Sequence, residues 1–572
     1  MNLRIRKNKI KNINSFVEPD EIFLDSKNLE NFDSQQFEGR IEKQITKKTI
    51  NLLCAFFICI MFIFSFRLIF LQINKGEVYL KRSLNNTLEK QIIFADRGII
   101  YDRNRVELAW NKKGGINKDE ENVTKNNFSV RTYKKPGFAH ILGYVNYPQM
   151  DKAGNFWQDE FIGKDGLEKI YNEKLKGENG AKIVEMDVNK KIYSENTVNI
   201  PKNGTELVTT IDSRIQEELF KLIKNLSESN SFSGGSGILM DINNGEILTM
   251  TSFPEYDGEI LSIGKNNSII SNYFSDKRKV FMDRNISGLY TPGSIVKPFF
   301  ALAALNEGVI NPQKEILSTG SISIPNPFFP GKETIFNDWK AHGWTDMAKA
   351  IAVSSDVYFY AIGGGFQGQK GIGISNIEKY SRLFYIGEKT GVDLPDEKSG
   401  VIPNPEWKAK NFKGDIWRIG DTYHTAIGQY GFQVTPLEMT RAVSALANYG
   451  KIVSPHLVLG DVTKENNTEI INIKKDYFYP IHNGMRQSVT YGTSVALNVP
   501  YVKVAAKTGT AQLGIKLNRV NSWIIGFFPY ENPKYAFTVM MESGPSTGSI
   551  GASSIMRQLL DWMSINTPEY FK

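Results

Sequence analysis

Ser294 and Lys297 are three residues apart in the stretch TPGSIVKPFF, and together they could act as a nucleophile and its base. Residues at i and i+3 lie on one face of a helix, so the lysine amine can approach the serine hydroxyl. A serine hydroxyl is a weak nucleophile until a base takes its proton, and a desolvated lysine can do this. The turn before Ser294 predicts a helix that begins at Gly293 or Ser294, with Pro298 in its first turn.

Ser-x-x-Lys alone is a weak pattern, because the chain has a second copy at Ser262 and Lys265. A second element of the right kind follows Ser294. It is the triplet SSD, Ser354 to Asp356, inside the apolar stretch MAKAIAVSSDVYFYAI. The triplet begins 60 residues after Ser294.

A third element is KTGTA, Lys507 to Ala511, which follows the alternating Val502 and Val504 of a predicted strand. Lys-Thr-Gly also occurs at Lys389, but without a strand in front of it. A strand beside the nucleophile can align a peptide substrate as an added β-strand. It can also offer a backbone N–H to a developing oxyanion.

The elements that must position these residues follow from hydrophobic periodicity. IDSRIQEELFKLIKNL has Asp212 or Ser213 as N-cap and apolar residues at helical spacing. SGILMDINNGEILTMTS predicts a hairpin around Asn244-Gly245. VKVAAKTGTAQ, NSWIIGFFP and KYAFTVMMESG predict three further strands, and SSIMRQLLDWM a final helix. We therefore predict an α+β fold, with one antiparallel sheet flanked by helices.

The apolar run from Ile50 to Ile73 is long enough to cross a bilayer, which takes roughly 20 residues. It lies behind a polar segment and shows no small-residue cleavage site, which favours a retained signal anchor. Basic residues are slightly more frequent before it, which favours a cytoplasmic N-terminus and an extracytoplasmic catalytic domain. These basic residues are Arg40, Lys43, Lys47 and Lys48 before the run, and Lys75, Lys81 and Arg82 after it.

Composition excludes some classes of function. The net charge of +8 is spread along the 572 residues without a basic stripe interleaved with aromatics, so nucleic acid is not an expected partner. The two cysteines, Cys54 and Cys59, both lie in the apolar run, so the remaining chain has no disulfide or cysteine metal site. The five histidines form no local pair with metal-ligand spacing, and GGGFQG follows a predicted helix instead of a strand.

The order Ser-x-x-Lys, Ser-x-Asp, Lys-Thr-Gly is typical of penicillin-recognising serine acyltransferases. With its flanks, the chain resembles the class B penicillin-binding proteins, the monofunctional peptidoglycan D,D-transpeptidases, and among them the elongation-type branch called penicillin-binding protein 2. The flanking stretches that resemble the family are RGIIYDRNRVELA, AHILGYV, GKDGLEKIYNEKLKG, GVDLPDEKSGVIP and AIGQYGFQVTPLEMTRAVSALAN. The resemblance implies a serine β-lactamase/transpeptidase-like catalytic domain on a β-rich pedestal.

The resemblance implies a role for each site residue. Ser294 attacks the penultimate carbonyl of a stem peptide that ends in D-Ala-D-Ala, and Lys297 accepts its proton. Ser354 relays that proton to the leaving amine, with Asp356 beside it. Lys507 supplies positive charge. Thr508 and Thr510, with Gly509 between them, hold the substrate carboxylate, and the N–H groups of Ser294 and Thr510 form the oxyanion hole. β-Lactams are the implied inhibitors.

The predicted domain division has five parts. They are a cytoplasmic segment at 1–48, the anchor at 49–73, a non-catalytic, dimerisation-type pedestal at 74–205, the transpeptidase domain at 206–566 and a tail at 567–572. The stretch between RGIIYDRN and AHILGYV is short, which predicts a reduced pedestal head, and it contains the exposed loop NKKGGINKDEENVTKNN. Most of residues 1–48 should be mobile, with at most a short helix.

One position departs from the family pattern: Arg105 occupies a place where the family usually has glycine.

Two features bear on cofactors and partners. Some relatives bind zinc beside the active site. Here Asp338 and His342 match two of those ligands, but Ser318 and Ser355 replace the other two, so we expect no metal and no cofactor. No glycosyltransferase domain is apparent, so a RodA-type glycosyltransferase and other elongation machinery are the expected membrane partners.

Two alternatives remain open from the sequence. A membrane-anchored β-lactamase or carboxypeptidase shares the three motifs and passes the acyl group to water, but it needs no pedestal. A catalytically silent β-lactam receptor or scaffold is the second alternative, although the motif set is complete.

Asp356 raises a separate question, since a carboxylate beside Lys297 favours the ammonium form and so opposes its work as a base. Our hypothesis is that Lys297 and Lys507 share Asp356 across the cleft.

Overall fold

The structure is a computed structural model that describes residues 46–85, 88–113, 128–152, 155–186, 192–326, 328–460, 468–514, 518–546 and 550–572. The predictions for residues 1–45, and for the exposed loop from residue 114 to 127, lie outside this range. The described residues fall into two compact units. One contains the residues up to Glu89 with Glu185 and Met186, and the other contains Lys90–Val184 and Ile192–Lys572.

The first unit begins with the predicted anchor. An α-helix, Lys47–Ile69, continues as a π-helical turn, Phe70–Asn74, and a second helix follows at Gly76–Asn85. Thr46 caps the first helix by accepting from the Thr49 N–H. Lys47–Asn74 is long and apolar enough to cross a membrane, with a mean hydropathy of 2.6 and no buried residue in that window. A helix of this length and apolar composition is typical of a membrane span.

The N-terminal part of the second unit is rich in short strands, as predicted for the pedestal. A four-stranded sheet has the order Leu207–Val208, Ile100–Tyr101, Glu107–Lys112, Val130–Tyr133, and its first pair is parallel. A three-stranded sheet has the order Leu88–Ile93, Gly180–Met186, Ile192–Asn199. The smaller elements are the strand pairs Val145–Asn146 with Ile162–Gly163 and Gln149–Met150 with Phe156–Gln158, and the helices Ala139–Leu142, Gly166–Ile170 and Asn172–Leu175.

Arg105 shows why glycine would suit its position. Its φ is 64°, in the left-handed region that residues with a Cβ rarely adopt. The guanidinium bonds Glu206 at 2.6 Å and lies 5.6 Å from the centre of the Tyr101 ring. These exposed contacts partly offset the strain of a turn that follows the strand Ile100–Tyr101.

The catalytic part is built on a five-stranded antiparallel sheet. We number its strands β1 (Gly234–Asp241), β2 (Ile247–Phe253), β3 (Ala505–Leu513), β4 (Arg519–Phe528) and β5 (Tyr535–Pro545). Their order is β2-β1-β5-β4-β3, so β3 is an edge strand. The predicted hairpin and the three predicted strands are confirmed. The hairpin turn is longer than Asn244-Gly245 alone, because β1 ends at Asp241 and β2 begins at Ile247.

Both faces of this sheet are covered. In β4, Trp523, Ile525 and Phe527 pack with the core around helix Lys297–Asn306, whereas Ile524 and Phe528 pack with the core that contains helices Ser213–Ser229 and Ala552–Asn566. Successive strand residues point to opposite faces, so two buried faces require an almost continuous apolar run, as NSWIIGFFP shows. Residues 567–572, the predicted tail, include the 3₁₀ helix Pro568–Phe571, whose buried Tyr570 hydroxyl donates to Asp212 at 2.9 Å.

The remaining catalytic elements surround helix Lys297–Asn306, which is buried from Lys297 to Leu305. Three short strand pairs are Ile316–Ser318 with Gly343–Thr345, Ser321–Pro325 with Glu333–Asn337, and Lys451–Val453 with Thr468–Ile470. The other α-helices are Gly258–Ile263, Asn267–Ser275, Met347–Val353, Asp356–Gly364, Gly373–Leu383, Pro405–Asn411, Ile419–Ala426, Pro436–Ala447 and Phe478–Thr490, and the other 3₁₀ helices are Gly293–Val296, Lys475–Tyr477 and Val495–Leu497.

Candidate active site

Ser294 lies on a tight turn at the N-terminus of the central helix. Gly293–Val296 forms a 3₁₀ helix, and the α-helix begins only at Lys297, four residues later than the earliest predicted start. Pro298 falls in the first α-helical turn, as predicted. Side chains at i and i+3 eclipse in a 3₁₀ helix, so this turn places Ser294 and Lys297 in line. Ser294 is partly exposed and Lys297 is fully buried.

The Lys297 ammonium is held by the SSD triplet. Its Nζ donates to Asp356 Oδ1 at 2.6 Å, to the Ser354 carbonyl at 2.8 Å and to Ser354 Oγ at 3.4 Å. The Phe359 ring lies beneath it at 5.3 Å. Within the described residues, Lys297 makes no hydrogen bond to Ser294 Oγ. The hydrogen bonds of the lysine are therefore directed to Asp356 and Ser354 in this structure. Catalytic hydrogen bonds commonly tighten only when substrate binds.

Ser354 occupies a strained junction between two helices. Helix Met347–Val353 ends at Ser354 with φ 60° and ψ 39°, a left-handed conformation that costs a non-glycine residue on the order of 1–3 kcal/mol. Ser355 then caps helix Asp356–Gly364 by accepting from the Tyr358 N–H at 3.3 Å. The junction turns the Ser354 side chain and Asp356 toward the same lysine.

Lys507 approaches the same hydroxyl from the sheet. It is fully buried, and its Nζ donates to Ser354 Oγ at 2.8 Å and to the Thr508 carbonyl at 2.8 Å. Burial lowers the pKa of Lys507 well below its ordinary value, and the Lys297 ammonium lowers it further, while Asp356 acts in the opposite direction. The hypothesis that both lysines share Asp356 is wrong in its geometry: the group they share is Ser354 Oγ.

The edge strand β3 lies against the Ser294 turn because Gly509 has no side chain. A Cβ at Gly509 would lie 2.8 Å from Ile295 Cγ2 and 2.8 Å from the Pro292 carbonyl oxygen. Thr510 is exposed on the same strand. The predicted strand begins later than Val502 and Val504, at Ala505, so Lys507 is near its start. Edge strands carry backbone groups that can pair with an added strand.

Sequence reasoning missed three residues that shape this site. Gly428 has φ +73°, and a Cβ there would lie 2.2 Å from the Gly293 carbonyl oxygen. The Gly428 carbonyl accepts from the Gly293 N–H at 3.0 Å. Thr493 Oγ1 accepts from Thr508 Oγ1 at 2.7 Å, and Trp523 Nε1 donates to the Thr291 carbonyl at 3.1 Å. Gly428 lies in a stretch that resembles the family, AIGQYG, whereas Thr493 has no local signal.

The duplicate motifs are structural. Ser262 is buried in helix Gly258–Ile263, and its Oγ accepts from the Val145 N–H at 3.2 Å. Thr390 of the other Lys-Thr-Gly bonds Glu397 through its N–H and its hydroxyl, both at 2.6 Å. Neither copy lies beside a second motif, so the site is assembled from Ser294, the SSD triplet and β3.

Asp338, His342, Ser318 and Ser355 are also neighbours. Asp338 Oδ2 accepts from Ser355 Oγ at 2.9 Å, from Ser318 Oγ at 3.3 Å and from the Val357 N–H at 3.0 Å, and His342 Nε2 lies 3.5 Å from Asp338 Oδ1. Among the described residues there is no group of three or more His, Cys, Asp or Glu side chains placed to hold a metal ion. Two hydroxyls thus occupy positions beside the aspartate, as the sequence indicated.

Comparison with known proteins places this geometry in a family. The family model "Penicillin binding protein transpeptidase domain" matches residues 235–561, more than half of the chain, and "Penicillin-binding Protein dimerisation domain" matches residues 116–209. The chain belongs to the penicillin-binding protein transpeptidase family. This confirms the predicted family, the α+β fold class and the enzyme class, a serine-type acyltransferase.

Individual members of this family are similar over most of their length. Peptidoglycan D,D-transpeptidase MrdA of Salmonella typhimurium (strain SL1344) is 32% identical over 481 residues, which cover 77% of this chain and 73% of that protein. PBP2 of Helicobacter pylori, solved in complex with MreC, is 28% identical with a TM-score of 0.67, covering 83% of this chain and 99% of that one. PBP2 of Pseudomonas aeruginosa, solved in complex with WCK 5153, is 28% identical with a TM-score of 0.65, covering 83% and 97%.

Proposed function

We propose that this penicillin-binding protein cross-links peptidoglycan stem peptides during cell-wall elongation, through an acyl-enzyme on Ser294. The observation that carries the proposal is the Ser354 hydroxyl between two buried lysines, at 3.4 Å from Lys297 Nζ and 2.8 Å from Lys507 Nζ. In the proposed mechanism, this hydroxyl passes a proton between the nucleophile and an amine. The similarity to elongation-type relatives supports the same function.

In the first half-reaction, Ser294 Oγ forms a bond to the penultimate carbonyl carbon of a D-Ala-D-Ala stem peptide. The C–N bond to the terminal D-Ala breaks. The Ser294 proton passes to Lys297 and, through Ser354 Oγ, to the departing D-Ala amine. For this step Lys297 must be present as the neutral amine, so that it can accept the proton.

In the second half-reaction, an acceptor amine attacks the acyl carbon, and the C–Oγ bond breaks as the new C–N bond forms. The amine proton returns to Ser294 Oγ along the same groups in reverse. The N–H groups of Ser294 and Thr510 are assigned to the oxyanion, and the loss of one such donor typically costs about a hundred- to a thousand-fold in rate. Lys507, Thr508 and Thr510 are assigned to the substrate carboxylate.

The test of this function is mass spectrometry of the intact protein after exposure to penicillin, with the modified peptide mapped. We expect a durable adduct on Ser294, absent in Ser294→Ala and retained in Ser262→Ala. Adduct on Ser294→Ala would exclude this nucleophile. Rapid loss of the adduct would identify a β-lactamase, and hydrolysis of a stem peptide despite an added acceptor amine would identify a carboxypeptidase. Absence of any adduct would leave a scaffold.

The residue ranges proposed for the domains are an anchor at 49–73, a pedestal at 74–205 and a transpeptidase domain at 206–566. The segment 1–48 is then cytoplasmic and the catalytic domain extracytoplasmic. The exposed apolar helix Lys47–Asn74 supports a single membrane pass. Protease added outside intact cells should remove the catalytic domain and spare an N-terminal tag. The opposite protection pattern would reverse the orientation.

A RodA-type glycosyltransferase is the proposed partner in the membrane, and the complex of the Helicobacter pylori relative with MreC supports assembly with elongation proteins in general. Among the described residues, no side chain of the helix Lys47–Ile69 is buried, which supports a surface available to another membrane helix. Replacement of Ile50 to Ile73 by an unrelated spanning helix should weaken co-purification with the glycosyltransferase. Unchanged co-purification would remove the anchor from the interface.

A further inference from the structure

A wall of exposed aromatic side chains stands beside the cleft. It consists of the two short strand pairs within residues 316–345, and we call its exposed apolar side chains the aromatic rim. The members of the rim are Leu317, Phe328, Phe329, Ile335, Trp339 and Trp344. Trp339 and Trp344 expose 60% and 58% of their surface, far more than a folded protein needs to leave uncovered for large aromatic groups. None of the catalytic steps uses these side chains.

The rim is fixed to the catalytic helices. Asp338, next to Trp339, accepts from the Val357 N–H at 3.0 Å in the helix that begins at Asp356. On the inner side of the same hairpin, Phe336 packs against Tyr360 and Tyr423 with ring centres 5.9 and 5.0 Å apart. The hairpin therefore holds its outer face in a constant position relative to the cleft.

The outer face continues into the cleft through His342. Its ring lies 5.1 Å from the Trp339 ring, between the two tryptophans in the chain. His342 Nε2 lies 3.5 Å from Asp338 Oδ1, and Asp338 Oδ2 accepts from Ser355 Oγ at 2.9 Å. Ser355 lies between Ser354 and Asp356 of the cleft. The rim is thus an extension of the active-site surface.

The rim also has length. The strand Ser321–Pro325 covers four residue steps, about 13 Å at the usual strand rise, from the end near Asp338 to the tip that carries Phe328. Polar groups alternate with the apolar ones: Arg418 lies over the Phe328 ring at 4.7 Å and Lys332 over the Phe329 ring at 5.3 Å. At the other end, Leu317 and Trp344 are cross-strand partners.

Separate aromatic faces interleaved with charged groups suit sugar rings better than a lipid surface or a protein helix. A pyranose presents an apolar C–H face that stacks on an aromatic ring, and hydroxyl and amide edges that bond to charged or polar side chains. A continuous aliphatic surface would fit a helix or lipid more closely. Here aromatic rings with cationic side chains beside them are spread over two short strand pairs.

We propose that the aromatic rim binds the N-acetylated hexosamine chain of peptidoglycan, so that the strand bearing the stem peptide is held beside Ser294. The proposal rests on the proposed function, because a stem peptide in the cleft keeps its glycan within a short tether of the rim. It adds a sugar-binding surface to the peptide-binding strand β3. Soluble stem peptides and penicillin carry no glycan and should not depend on it.

The test uses the full-length chain in detergent, with chitohexaose and with glycan strands freed of their peptides as probes. Binding is followed by tryptophan fluorescence and calorimetry. Trp339→Ala/Trp344→Ala should weaken binding at least about fivefold, since each of the two aromatic contacts contributes roughly 0.5–1.5 kcal/mol. The matched control is Trp157→Ala, because Trp157 is 68% exposed in the pedestal. Trp339→Phe/Trp344→Phe, which keeps both aromatic faces, should recover most of the affinity.

Absence of saturable binding to either probe by the unaltered protein would overturn the proposal. Equal affinity in the double alanine variant, or an equal loss in Trp157→Ala, would do the same. Affinity that appears only for proteins of the membrane fraction would assign the rim to a protein partner instead. Penicillin acylation of Ser294 is measured in every sample, so failure of the enzyme assignment is seen separately from failure of sugar binding.

Discussion

The pedestal and the cleft each bury two cationic side chains around one carboxylate. In the pedestal, Arg97 and Arg131 hold Glu168, and all three residues are 0–2% exposed. In the cleft, Lys297 and Lys507 are 0% exposed, while the Asp356 side chain keeps 18% of its surface open. The formal charges of the two clusters are the same, so their difference lies in which groups can lose a proton.

The pedestal cluster is saturated with hydrogen bonds. Glu168 accepts from Arg97 Nε and, at 2.7 Å, from Arg131 Nε. Arg131 also donates to the Gly98 carbonyl at 2.9 Å and to Asn111 Oδ1 at 3.2 Å. Burial alone would raise the pKa of Glu168, but the two guanidiniums outweigh it and lower the pKa below its ordinary value. Because guanidinium cannot lose its proton in a protein, the two arginines of this cluster stay charged. The cluster therefore has a structural role, in which it holds segments of the pedestal together.

The cleft uses lysine, whose protonation responds to burial. Lys507 has no carboxylate among its hydrogen-bond partners, and burial lowers its pKa. Lys507 can therefore lose its proton more easily than an exposed lysine, which suits the proton transfer proposed for Ser294. A buried charge cluster is structural or catalytic according to the chemistry of its cations, and not according to its net charge.

The largest effect is expected when a lysine of the cleft is replaced by arginine, the cation of the pedestal cluster. Lys297→Arg should keep the contacts to Asp356 but remove the base, because arginine stays protonated. General-base catalysis contributes about 10²–10⁴-fold, so the second-order rate constant of penicillin acylation should fall by at least that range. Stopped-flow acylation measures it, with Lys265→Arg in the duplicate Ser-x-x-Lys as control. If Lys297→Arg is acylated at the wild-type rate, Lys297 is not the base.

The second prediction concerns the pedestal cluster, whose carboxylate is removed. Glu168→Gln keeps the size of the side chain but leaves two buried guanidiniums without their anion, which should cost about 3–5 kcal/mol of unfolding free energy. Urea titration of the full chain in detergent measures the loss. The control is Glu178→Gln, which breaks an exposed pair with Lys202 and should cost at most about 1 kcal/mol. Equal losses in the two variants would contradict a structural role for the buried cluster.

In the cleft, removal of a charge should have the opposite sign. Lys507→Met replaces a fully buried ammonium by an apolar group of similar length and should raise the unfolding free energy by about 1–4 kcal/mol, while acylation is lost. The folded-state pKa of Lys507 is below its unfolded value. The free-energy cost of burying its ammonium group is therefore largest at low pH and decreases as the pH rises toward 10.5. The unfolding free energy gained by Lys507→Met should therefore also decrease as the pH rises. A loss of stability at every pH would show that this lysine holds the fold.

The contrast also explains which parts were predictable from sequence. Ser294, the SSD triplet and β3 are local patterns with helical or strand periodicity, and their order along the chain identifies the family. The strand β4 reveals its two buried faces in its composition alone. The pedestal is harder, because the pairing of Leu207–Val208 with Ile100–Tyr101 joins segments about a hundred residues apart and leaves no local trace.

Side-chain partners within the cleft were the least predictable. The sequence places Asp356 and both lysines in one site, but the choice of Ser354 Oγ over Asp356 as the partner of Lys507 depends on the left-handed turn at Ser354. That turn breaks the usual preference of serine, so no propensity argument predicts it. Gly428 and Thr493 act through close contacts with residues far away in the chain, which periodicity cannot detect.

The carboxylate is the remaining difference between the two clusters. Asp356 in the cleft is partly open to solvent, whereas Glu168 in the pedestal is fully buried. Asp356 Oδ1 lies 2.6 Å from Lys297 Nζ, and its charge raises the pKa of Lys507 against the effect of burial. Asp356→Asn keeps a hydrogen-bond acceptor and removes the charge. Lys507 then loses its proton more easily, so the rising limb of acylation rate against pH should move to lower pH.

The measurement is the second-order acylation rate constant with a penicillin from about pH 5 to pH 9, the range in which a tuned base titrates. Asp415→Asn is the matched control, because its carboxylate pairs with Lys408 and Arg418 and touches neither lysine of the cleft. A rate that falls without any movement of the limb would make Asp356 a residue that positions Lys297 and does not tune it. A limb that moves to higher pH would reverse the sign of the coupling, and the cleft would then resemble the pedestal, where the carboxylate only fixes its cations.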